Sequence, residues 1–481
     1  MKAKSKYGLG ASIGGTVALG VVLLVLGTAL LPRGPGSSVP ELPSQPGSTS
    51  PLSKHLHKPV NVPSGQITGP ALLAEVAKQY PINKFKCGSW VQSYAKLHSS
   101  ILSGAAPQRY SIMRSKQEFG NGLADRLATS VSILLYSILT DRAFLYDWEP
   151  PPPVNESMRD TRCGKARFYV PSTHLWVGLR SDFIDWRYQP VDVGNSSVVM
   201  DYNCDNNMQE YKELFRTQNL TAAGDGVHSV IWHADHAGVY AAFRNPFLAS
   251  RLKQLGFERE TAFACLFDFI YRPAPEVVQL FAPELNVLMN PNILKIGVQV
   301  RVGDWQLVDS YTFKPQHYPY LFRHYFECAK EIELALAKPG QPVVWYTLVD
   351  IPALRWGLAA RYPDRLLINT NVVVEHIVKS SKTSDHGFLQ AVGEIWVFSF
   401  TSQHIITKIS GFGKVPGMVN ANTGPGLPNT TAHFYTITHP MNFFNLVALN
   451  NRKNLAWWRG RKCGPQWADD IEQVTSDFTG I

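Results

Sequence analysis

The sequence lacks several patterns that would each have assigned it a function class. It contains no Cys-x-x-Cys pair and no His-Glu-x-x-His segment, which argues against a structural zinc site and against a zincin protease. It has no internal repeat. The net charge of +9 is spread out rather than gathered in a basic block, so we do not expect nucleic acid as a partner. A modest basic excess instead favours an anionic small substrate such as a nucleotide diphosphate.

Charge is also missing from one stretch near the N-terminus. Residues 8–31 contain no charged side chain and are long enough to form a membrane-spanning helix. Three lysines precede this run, which predicts that residues 1–7 are a cytosolic tail and that the rest of a single-pass type II protein is lumenal. A cleaved signal peptide is the alternative, because the small residues Gly27 and Ala29 lie near a candidate cleavage point. We favour the anchor because the apolar run is longer than a typical signal core.

Two further features are typical of a protein that enters the secretory pathway. Asn-x-Ser/Thr sequons, which matter only to a chain that meets the glycosylation machinery, occur at Asn155, Asn195, Asn219 and Asn429. The six cysteines are an even number and widely scattered, which fits up to three disulfides in an oxidising lumen. Their spacing leaves all fifteen complete pairings open.

The composition divides the chain into a linker and two folded regions. Residues 32–70 are rich in Pro, Gly and Ser and poor in apolar side chains, so we interpret them as a flexible stem. Folded material begins near Ala71. We predict an N-terminal domain over residues 71–290 and a C-terminal domain over residues 291–481. In the second domain, strand-like and helix-like segments alternate from residue 291 to about 425, which predicts a parallel, doubly wound α/β sheet.

Ligands of such sheets bind at the carboxyl ends of the strands, so the residues that follow each strand are the candidates. Arg301 lies within the first apolar run, "ILKIGVQVRV", where it could grip a phosphate or form a structural ion pair with Asp304. Asp350 ends "PVVWYTLVD" and could accept hydrogen bonds from a nucleoside or cap a helix. The stretch "ISGFGK" (residues 409–414) could hold an anion with its backbone or be a plain turn.

A second glycine-rich segment lies earlier, in "EFGNGLADRL" (residues 118–127). It is one residue short of a dinucleotide-binding fingerprint, with Asp125 where the third glycine would stand and Asp147 at a plausible ribose-binding distance. A nucleotide-cofactor oxidoreductase is therefore one interpretation. Each part of the match is weak, and a lumenal domain has little need of a nicotinamide cofactor. We interpret the segment as the first βα turn of the N-terminal domain.

Four segments together resemble a known family. "IGVQVRVGD", "WYTLVD" and "HGFLQAVGEIWVFSFTSQHIITKISGFG" are similar to the three C-terminal motifs of the fucosyltransferase superfamily that makes α-1,2, α-1,6 and protein O-linked fucose. "GNGLADRLATSVSILLYSILTDRAFLYDWE" is similar to the N-terminal loop, helix and strand of that family. The plant xyloglucan-type members resemble the chain most closely. The segments occur in the family's order, behind a predicted anchor and stem.

The resemblance implies a GT-B-like architecture, in which two Rossmann-like doubly wound domains face each other across a cleft. It also implies GDP-fucose as the donor, inversion at the anomeric carbon, no metal or other cofactor, and the Golgi membrane as the location. Arg301 matches the arginine that contacts the donor β-phosphate. The other positions implied to bind GDP-fucose are Asp350, His386, Ser410, Gly411, Phe412 and Gly413. The positions implied to line the acceptor side are Gly120, Asn121, Gly122 and Arg126.

Some positions depart from the family pattern. Val302 stands where the animal and bacterial motif has a second arginine, and the plant-type members also lack that arginine. Gly411 replaces the threonine of the last turn, which removes one hydroxyl donor. The N-terminal loop, usually G-x-G-N-R, is rearranged to G-N-G-L-A-D-R.

The general base and the acceptor are left open. Asp125 and Asp304 are the candidate bases, although a first-turn helix residue favoured by the helix dipole is the stronger interpretation of Asp125. The acceptor could be xyloglucan, another cell-wall or extracellular glycan, or a glycoprotein glycan. A homodimer also stays open.

Two other function classes compete with this interpretation. A metal-dependent GT-A glycosyltransferase would use an acidic triplet, for which Asp147-Trp148-Glu149 is the candidate. A lumenal glycan- or nucleotide-sugar-binding protein without turnover would keep the fold, and the departures at Gly411 and in the N-terminal loop are compatible with it.

Overall fold

A computed structural model of the protein describes residues 67–114, 122–148, 175–191, 196–202, 208–223, 226–234, 236–302, 322–372, 374, 384–408, 410–419, 433–437, 462–469 and 474. All of them belong to one compact unit, residues 57–481. Within these ranges no helix is both long and apolar enough to cross a bilayer. The predicted tail, the anchor at residues 8–31 and the stem up to residue 66 lie outside them.

The first half of the chain builds a four-stranded parallel sheet with the strand order β2-β1-β5-β4, and a short antiparallel pair, β3 and β6. Its strands are β1 (Tyr110–Arg114), β2 (Ala143–Asp147), β3 (Leu179–Arg180), β4 (Ser197–Tyr202), β5 (Ser229–Ala234) and β6 (Arg272–Pro273). Its helices are α1 (Gly69–Ala77), α2 (Pro81–Lys84), α3 (Trp90–Leu102), α4 (Leu123–Leu139), α5 (Met208–Thr217), α6 (Leu220–Ala223), α7 (Val239–Ala242), α8 (Ala249–Leu255), α9 (Arg259–Ile270), α10 (Pro275–Leu280) and α11 (Ala282–Leu288). The predicted βα turn after β1 is confirmed, since α4 follows β1 and leads to the parallel neighbour β2.

The second half builds a five-stranded parallel sheet with the order β11-β10-β7-β8-β9. Its strands are β7 (Leu294–Val300), β8 (Val343–Val349), β9 (Leu366–Leu367), β10 (Gln403–Thr407) and β11 (His433–Ile437). Its helices are α12 (Arg323–Leu336), α13 (Pro352–Arg361), α14 (Asp385–Phe398) and α15 (Gly411–Val419). The predicted parallel α/β sheet is therefore confirmed. Strand β9 is short, because only Leu366 and Leu367 pair with β8.

The side chains of β7 alternate between the two faces of the second sheet. Ile296, Val298 and Val300 enter the apolar cluster that α12 and α13 cover. Gly297 and Gln299 face the opposite side: a Cβ on Gly297 would meet Phe398 of α14, and Gln299 reaches Ser410 before α15. A polar side chain on this face of a buried strand therefore points at the start of α15.

One apolar core joins elements from both sides of the predicted boundary at residues 290 and 291. It includes side chains of α4 and α9 from the first half and of α14 and α15 from the second. Helix α4 has every residue buried, as expected of a helix that is packed on all sides. The two halves consequently stabilise each other through shared burial of apolar surface.

Two disulfides lie among the described residues, Cys87–Cys265 in the first half and Cys328–Cys463 in the second. Cys163 and Cys204 lie outside the described ranges. Of the four sequons only Asn219 is described. It is exposed just before α6, and its Oδ1 accepts a hydrogen bond from Thr221 Oγ1 at 2.7 Å. Asn155, Asn195 and Asn429 lie outside the described residues.

Candidate functional site

The carboxyl ends of β8, β7 and β10 lie side by side in the second sheet, and each is followed by a predicted site residue. Asp350 comes directly after β8, Arg301 directly after β7, and Ser410 three residues after β10. Sequence reasoning placed these three residues at one edge of a parallel sheet, and the structure brings them together there. Open α/β sheets bind their ligands at this edge.

The guanidinium of Arg301 is paired with the carboxylate of Asp350. Nη1 of Arg301 lies 3.2 Å from Oδ2 of Asp350, and the two side chains are 25% and 11% exposed. The sequence placed Arg301 within the strand and left an ion pair with Asp304 as the alternative to phosphate binding. The strand instead ends at Val300, Asp350 is a partner of Arg301, and Asp304 lies outside the described residues. Arg301 therefore sits at the partly open edge of the sheet, held by a neighbouring strand end.

Asp350 also fixes the backbone that follows β7. Its two carboxylate oxygens accept hydrogen bonds from the backbone N–H of Val302 at 2.9 and 3.1 Å. The helix-capping alternative for Asp350 is wrong, because the residue that precedes α13 is Ile351. Asp350 thus contacts both the charged side chain and the backbone of the segment after β7, a contact that the sequence did not predict.

A buried polar network lies directly beneath this edge. The amide of Gln299 donates from Nε2 to Ser410 Oγ at 3.0 Å, and its Oε1 accepts from the backbone N–H of Thr407 at 3.2 Å. Thr407 Oγ1 accepts from the backbone N–H of Arg301 at 2.9 Å and lies 2.8 Å from the hydroxyl of Tyr325. One signal for this network was present in the sequence, namely the polar residues Gln299 and Thr407 at the ends of two apolar strands.

The predicted glycine-rich turn at residues 409–414 is instead the start of a helix. Helix α15 begins at Gly411, and the backbone N–H groups of Gly413 and Lys414 both donate to the carbonyl of Ser410. Helix N-termini attract anions through their first N–H groups and the helix dipole. Tertiary packing explains the glycine within this helix, because a Cβ on Gly413 would lie 2.8 Å from Gln299 Oε1. Phe412 is half-buried against the shared core.

His386 is the last of the residues implied to bind GDP-fucose. It lies in the first turn of α14 and is exposed. Ser384 caps this helix by accepting a hydrogen bond from the backbone N–H of Gly387 at 3.0 Å. The Arg301 network, as far as the described contacts extend, does not include His386. The nucleoside-facing role of His386 stays a prediction.

The described part of the glycine-rich segment at residues 118–127 lies at the first sheet. Gly120 and Asn121 lie outside the described residues, whereas Gly122 directly precedes α4. The N–H of Gly122 donates to Asp125 Oδ2 at 3.1 Å, and Asp125 is 6% exposed. This geometry favours the helix-terminus interpretation of Asp125 over a role as a base.

Arg126 was expected to point towards the acceptor. It is instead 1% exposed, and its guanidinium carbon lies 4.8 Å from the centre of the Trp148 ring. Burial lowers the pKa of the guanidinium from its usual range, and the charge of Asp125 opposes that shift. The ring of Trp148 in turn contacts Phe388 of α14, at 6.2 Å between centroids. Arg126 thus packs beneath an aromatic contact between the two halves.

Sequence reasoning missed a row of ionisable residues at the carboxyl edge of the first sheet, of which it had named only Asp147. Arg114 Nε lies 2.7 Å from Asp147 Oδ2, and His233 Nδ1 lies 3.9 Å from Asp201 Oδ2. Arg114 pairs in register with Asp147, as His233 does with Asp201. A signal existed, because Arg114, Asp147 and His233 each lie at or near the end of an apolar strand.

The acidic triplet of the GT-A interpretation begins at Asp147. Its carboxylate is engaged by Arg114, and Glu149 lies outside the described residues. Among the residues that the structure describes, no three His, Cys, Asp or Glu side chains are grouped so that they could hold a metal ion.

Comparison with known proteins gives one curated match. No known protein-family profile matches the chain. A galactoside 2-alpha-L-fucosyltransferase of Pisum sativum is 23% identical over 239 residues, which are 47% of this chain and 41% of the pea protein. The match thus spans less than half the length of that relative.

Comparison with solved structures finds the two matches that follow. A mutant of Arabidopsis thaliana FUT1 in complex with GDP is 16% identical, with a TM-score of 0.45 over 79% of this chain and 82% of that one. The NodZ alpha-1,6-fucosyltransferase co-crystallized with GDP is 15% identical, with a TM-score of 0.36 over 65% of this chain and 92% of that one.

Proposed function

We propose that this chain, whose similarity to the pea enzyme supports its assignment to the fucosyltransferase superfamily, is an inverting glycosyltransferase. It moves L-fucose from GDP-fucose to a hydroxyl group of a glycan. One observation carries the proposal: Arg301, Asp350 and the start of α15 meet at the carboxyl edge of the second sheet. A guanidinium beside a helix N-terminus suits a diphosphate, because both supply donors and positive potential.

The proposed architecture is GT-B-like, with the donor on the second sheet and the acceptor on the first. Two all-parallel sheets, each with helices packed against it, support this arrangement. We keep the boundary between residues 290 and 291, which falls in the connection from α11 to β7.

The proposed mechanism is electrostatic. As the acceptor hydroxyl attacks the anomeric carbon, the bond to GDP breaks and negative charge grows on the β-phosphate. Arg301 and the first N–H groups of α15 stabilise that charge best if they are already oriented before the donor arrives. The contact with Asp350 and the bond from the Arg301 N–H to Thr407 supply this orientation.

The acceptor hydroxyl must also lose its proton. The capping contact of Asp125 with Gly122 leaves Asp304 as the preferred candidate of the two predicted bases. The name of the pea relative specifies a galactoside, so glycans with terminal galactose, xyloglucan among them, are the first acceptors to try.

The experiment that tests the function is incubation of the purified full-length chain with GDP-fucose and a glycan array, with both GDP release and labelled product scored. Arg301→Ala is expected to lower transfer by on the order of a hundredfold or more, since it removes a donor to the developing charge. The matched control is Arg216→Ala, which removes an arginine from a surface pair with Glu213 and is expected to leave turnover unchanged.

Two results would contradict the proposal. Equal turnover in Arg301→Ala and Arg216→Ala would overturn the site. GDP binding without consumption of GDP-fucose, across the whole array, would instead identify a nucleotide-sugar-binding protein without turnover.

We also propose a Golgi membrane location, with residues 8–31 as a type II anchor and the enzyme domain in the lumen. Two disulfides and an exposed sequon at Asn219 support an oxidising, glycosylating compartment. Glycosidase treatment of the chain expressed in cells checks this: Asn219→Gln should remove one step of the mobility shift. Light scattering of the purified chain distinguishes a monomer from a homodimer.

A further inference from the structure

We propose that Thr407, together with Gln299 and Tyr325, is a positioning residue that holds Arg301 and Ser410 at a fixed separation for the donor phosphates. The inference rests on the proposed function and adds residues that are not expected to touch the donor. All three are buried: Gln299 is 3% exposed, and Thr407 and Tyr325 are 0% exposed. They act on the reaction through the residues that they bond.

The hydroxyl of Thr407 uses its full hydrogen-bonding capacity. It accepts from the backbone N–H of Arg301 at 2.9 Å and donates to the carbonyl of Gln299 at 3.4 Å. Its second lone pair can accept from the Tyr325 hydroxyl at 2.8 Å. Burial raises the pKa of the Tyr325 phenol above its usual range, so the phenol keeps its proton and can donate. A side chain without a hydroxyl at position 407 would leave two buried donors without this acceptor.

The side-chain amide of Gln299 joins the backbone of Thr407 to Ser410. It accepts from the backbone N–H of Thr407 and donates to Ser410 Oγ, which requires an acceptor and a donor on one side chain. Glutamate could keep only the first of these bonds as an ionised group, and leucine could keep neither. Arg301 after β7 and Ser410 before α15 are therefore linked through Gln299 and Thr407.

Gly413 of α15 packs closely against the side-chain amide of Gln299. A Cβ on Gly413 would lie 2.8 Å from Gln299 Oε1 and 2.9 Å from Ile406 Cβ. The first turn of α15 thus rests directly on the Gln299 amide. Because these hydrogen bonds hold the segments after β7 and before α15, we expect the loss of one of them to displace Arg301 or Ser410. A displacement of about 1 Å at a group that stabilises the transition state can lower a rate on the order of a hundredfold.

Thr407→Val is the test, because it removes the hydroxyl at nearly constant volume. The matched control is Thr347→Val: Thr347 is also 0% exposed, lies in the neighbouring strand β8, and bonds only weakly to its own strand, at 3.3 Å to the carbonyl of Trp345. Thr407→Ser restores the hydroxyl, and Gln299→Leu breaks the second half of the network.

The readouts are kcat and KM for GDP-fucose, the Kd for GDP by calorimetry and the thermal midpoint. We expect Thr407→Val to lower kcat about tenfold to a hundredfold and Gln299→Leu to act similarly. Thr347→Val should keep kcat within about threefold of the parent chain even if it lowers the thermal midpoint equally. Thr407→Ser should recover most of the lost kcat.

Equal kcat values for Thr407→Val and Thr347→Val would overturn the inference and leave the proposed function intact. Loss of kcat in step with the thermal midpoint for all four variants would also overturn it, because the network would then be only structural. A parent chain that neither binds GDP nor consumes GDP-fucose would remove the proposed function, and the inference with it.

Discussion

The carboxyl edges of the two parallel sheets carry the same kind of ion pair but differ in what supports it. In the first sheet, Arg114 at the end of β1 pairs with Asp147 at the end of β2, at 2.7 Å. In the second, Arg301 after β7 pairs with Asp350 after β8, at 3.2 Å. The arginine side chains are almost equally exposed, at 26% and 25%. The pair itself therefore does not distinguish a nucleotide site from an ordinary strand-end contact.

The surroundings of the pairs do differ. At the second edge the backbone N–H groups of Arg301 and Val302 are bound by the side chains of Thr407 and Asp350, and α15 begins over Gln299. At the first edge, Asp125 in the first turn of α4 bonds the N–H of Gly122, directly before its own helix. Fixed backbone around an arginine is thus the feature that favours phosphate binding at the second edge.

The largest expected effect is the difference between the same substitution at Arg301 and at Arg114. Arg301→Lys keeps the charge but loses the planar fork, so we expect the rate of transfer to fall on the order of a hundredfold and GDP binding to weaken. Arg114→Lys should leave the Kd for GDP unchanged, because it alters only the first sheet. Calorimetric titration with GDP, together with turnover measurements, checks both variants. A similar loss of GDP affinity in both variants would contradict the assignment of the nucleotide site to the second sheet alone.

An intermediate effect on stability is expected from substitution of two glycines, Gly413 in the first turn of α15 and Gly122 directly before α4. Gly413→Ala would bring a Cβ to 2.8 Å from Gln299 Oε1 and from Ile406 Cγ2, so it should lower the free energy of unfolding by about 1–3 kcal/mol. Gly122→Ala meets only the end of the Asp125 side chain, at 3.0 Å, and should cost less than about 1 kcal/mol. Urea denaturation of both variants gives the comparison. The opposite order of stabilities would show that α15 does not rest on Gln299 as tightly as the geometry implies.

The smallest expected effect is on the pH dependence of stability and comes from Lys295, near the N-terminal end of β7. Burial, with a further contribution from the charge of Lys84, lowers the pKa of Lys295 from 10.5 to about 8. The unfolded chain therefore binds more protons than the folded chain between these values, and stability should rise as the pH increases from about 8 towards 10.5. Lys295→Met should flatten this rise. Thermal midpoints measured across the window provide the check, and an unchanged slope in the variant would exclude Lys295 as the cause.

The sequence predicted the parts of this fold that depend on local pattern. Continuous apolar runs gave β7, β8 and β10, and the rule that ligands lie at strand ends brought Arg301, Asp350 and Ser410 to one edge. It did not predict that Asp350 would bind both Arg301 and the N–H of Val302. Such a contact depends on the register between strands, which sequence spacing does not contain.

Helix α15 was not predicted, for a related reason. Its sequence, "GFGKVPGMV", holds three glycines and a proline, which disfavour a helix locally. The glycines are needed for tertiary packing, since a Cβ on Gly417 would lie 2.3 Å from the ring of Phe434. The burial of Arg126 was missed as well, because nothing in the sequence around it indicates that Trp148 would cover its charge.

The core shared by α4, α9, α14 and α15 has a consequence for the synthesis of the chain. Ribosomes deliver the first half before residues 385–419 exist, so α4 and α9 must wait for the helices that complete their burial. At about 5–20 residues per second, that wait lasts on the order of ten seconds or more after Cys265 is made. The Cys87–Cys265 disulfide can already close in that interval, since both cysteines are present. The nascent first half would then be held covalently, with an apolar face that only the C-terminal part of the same polypeptide can cover.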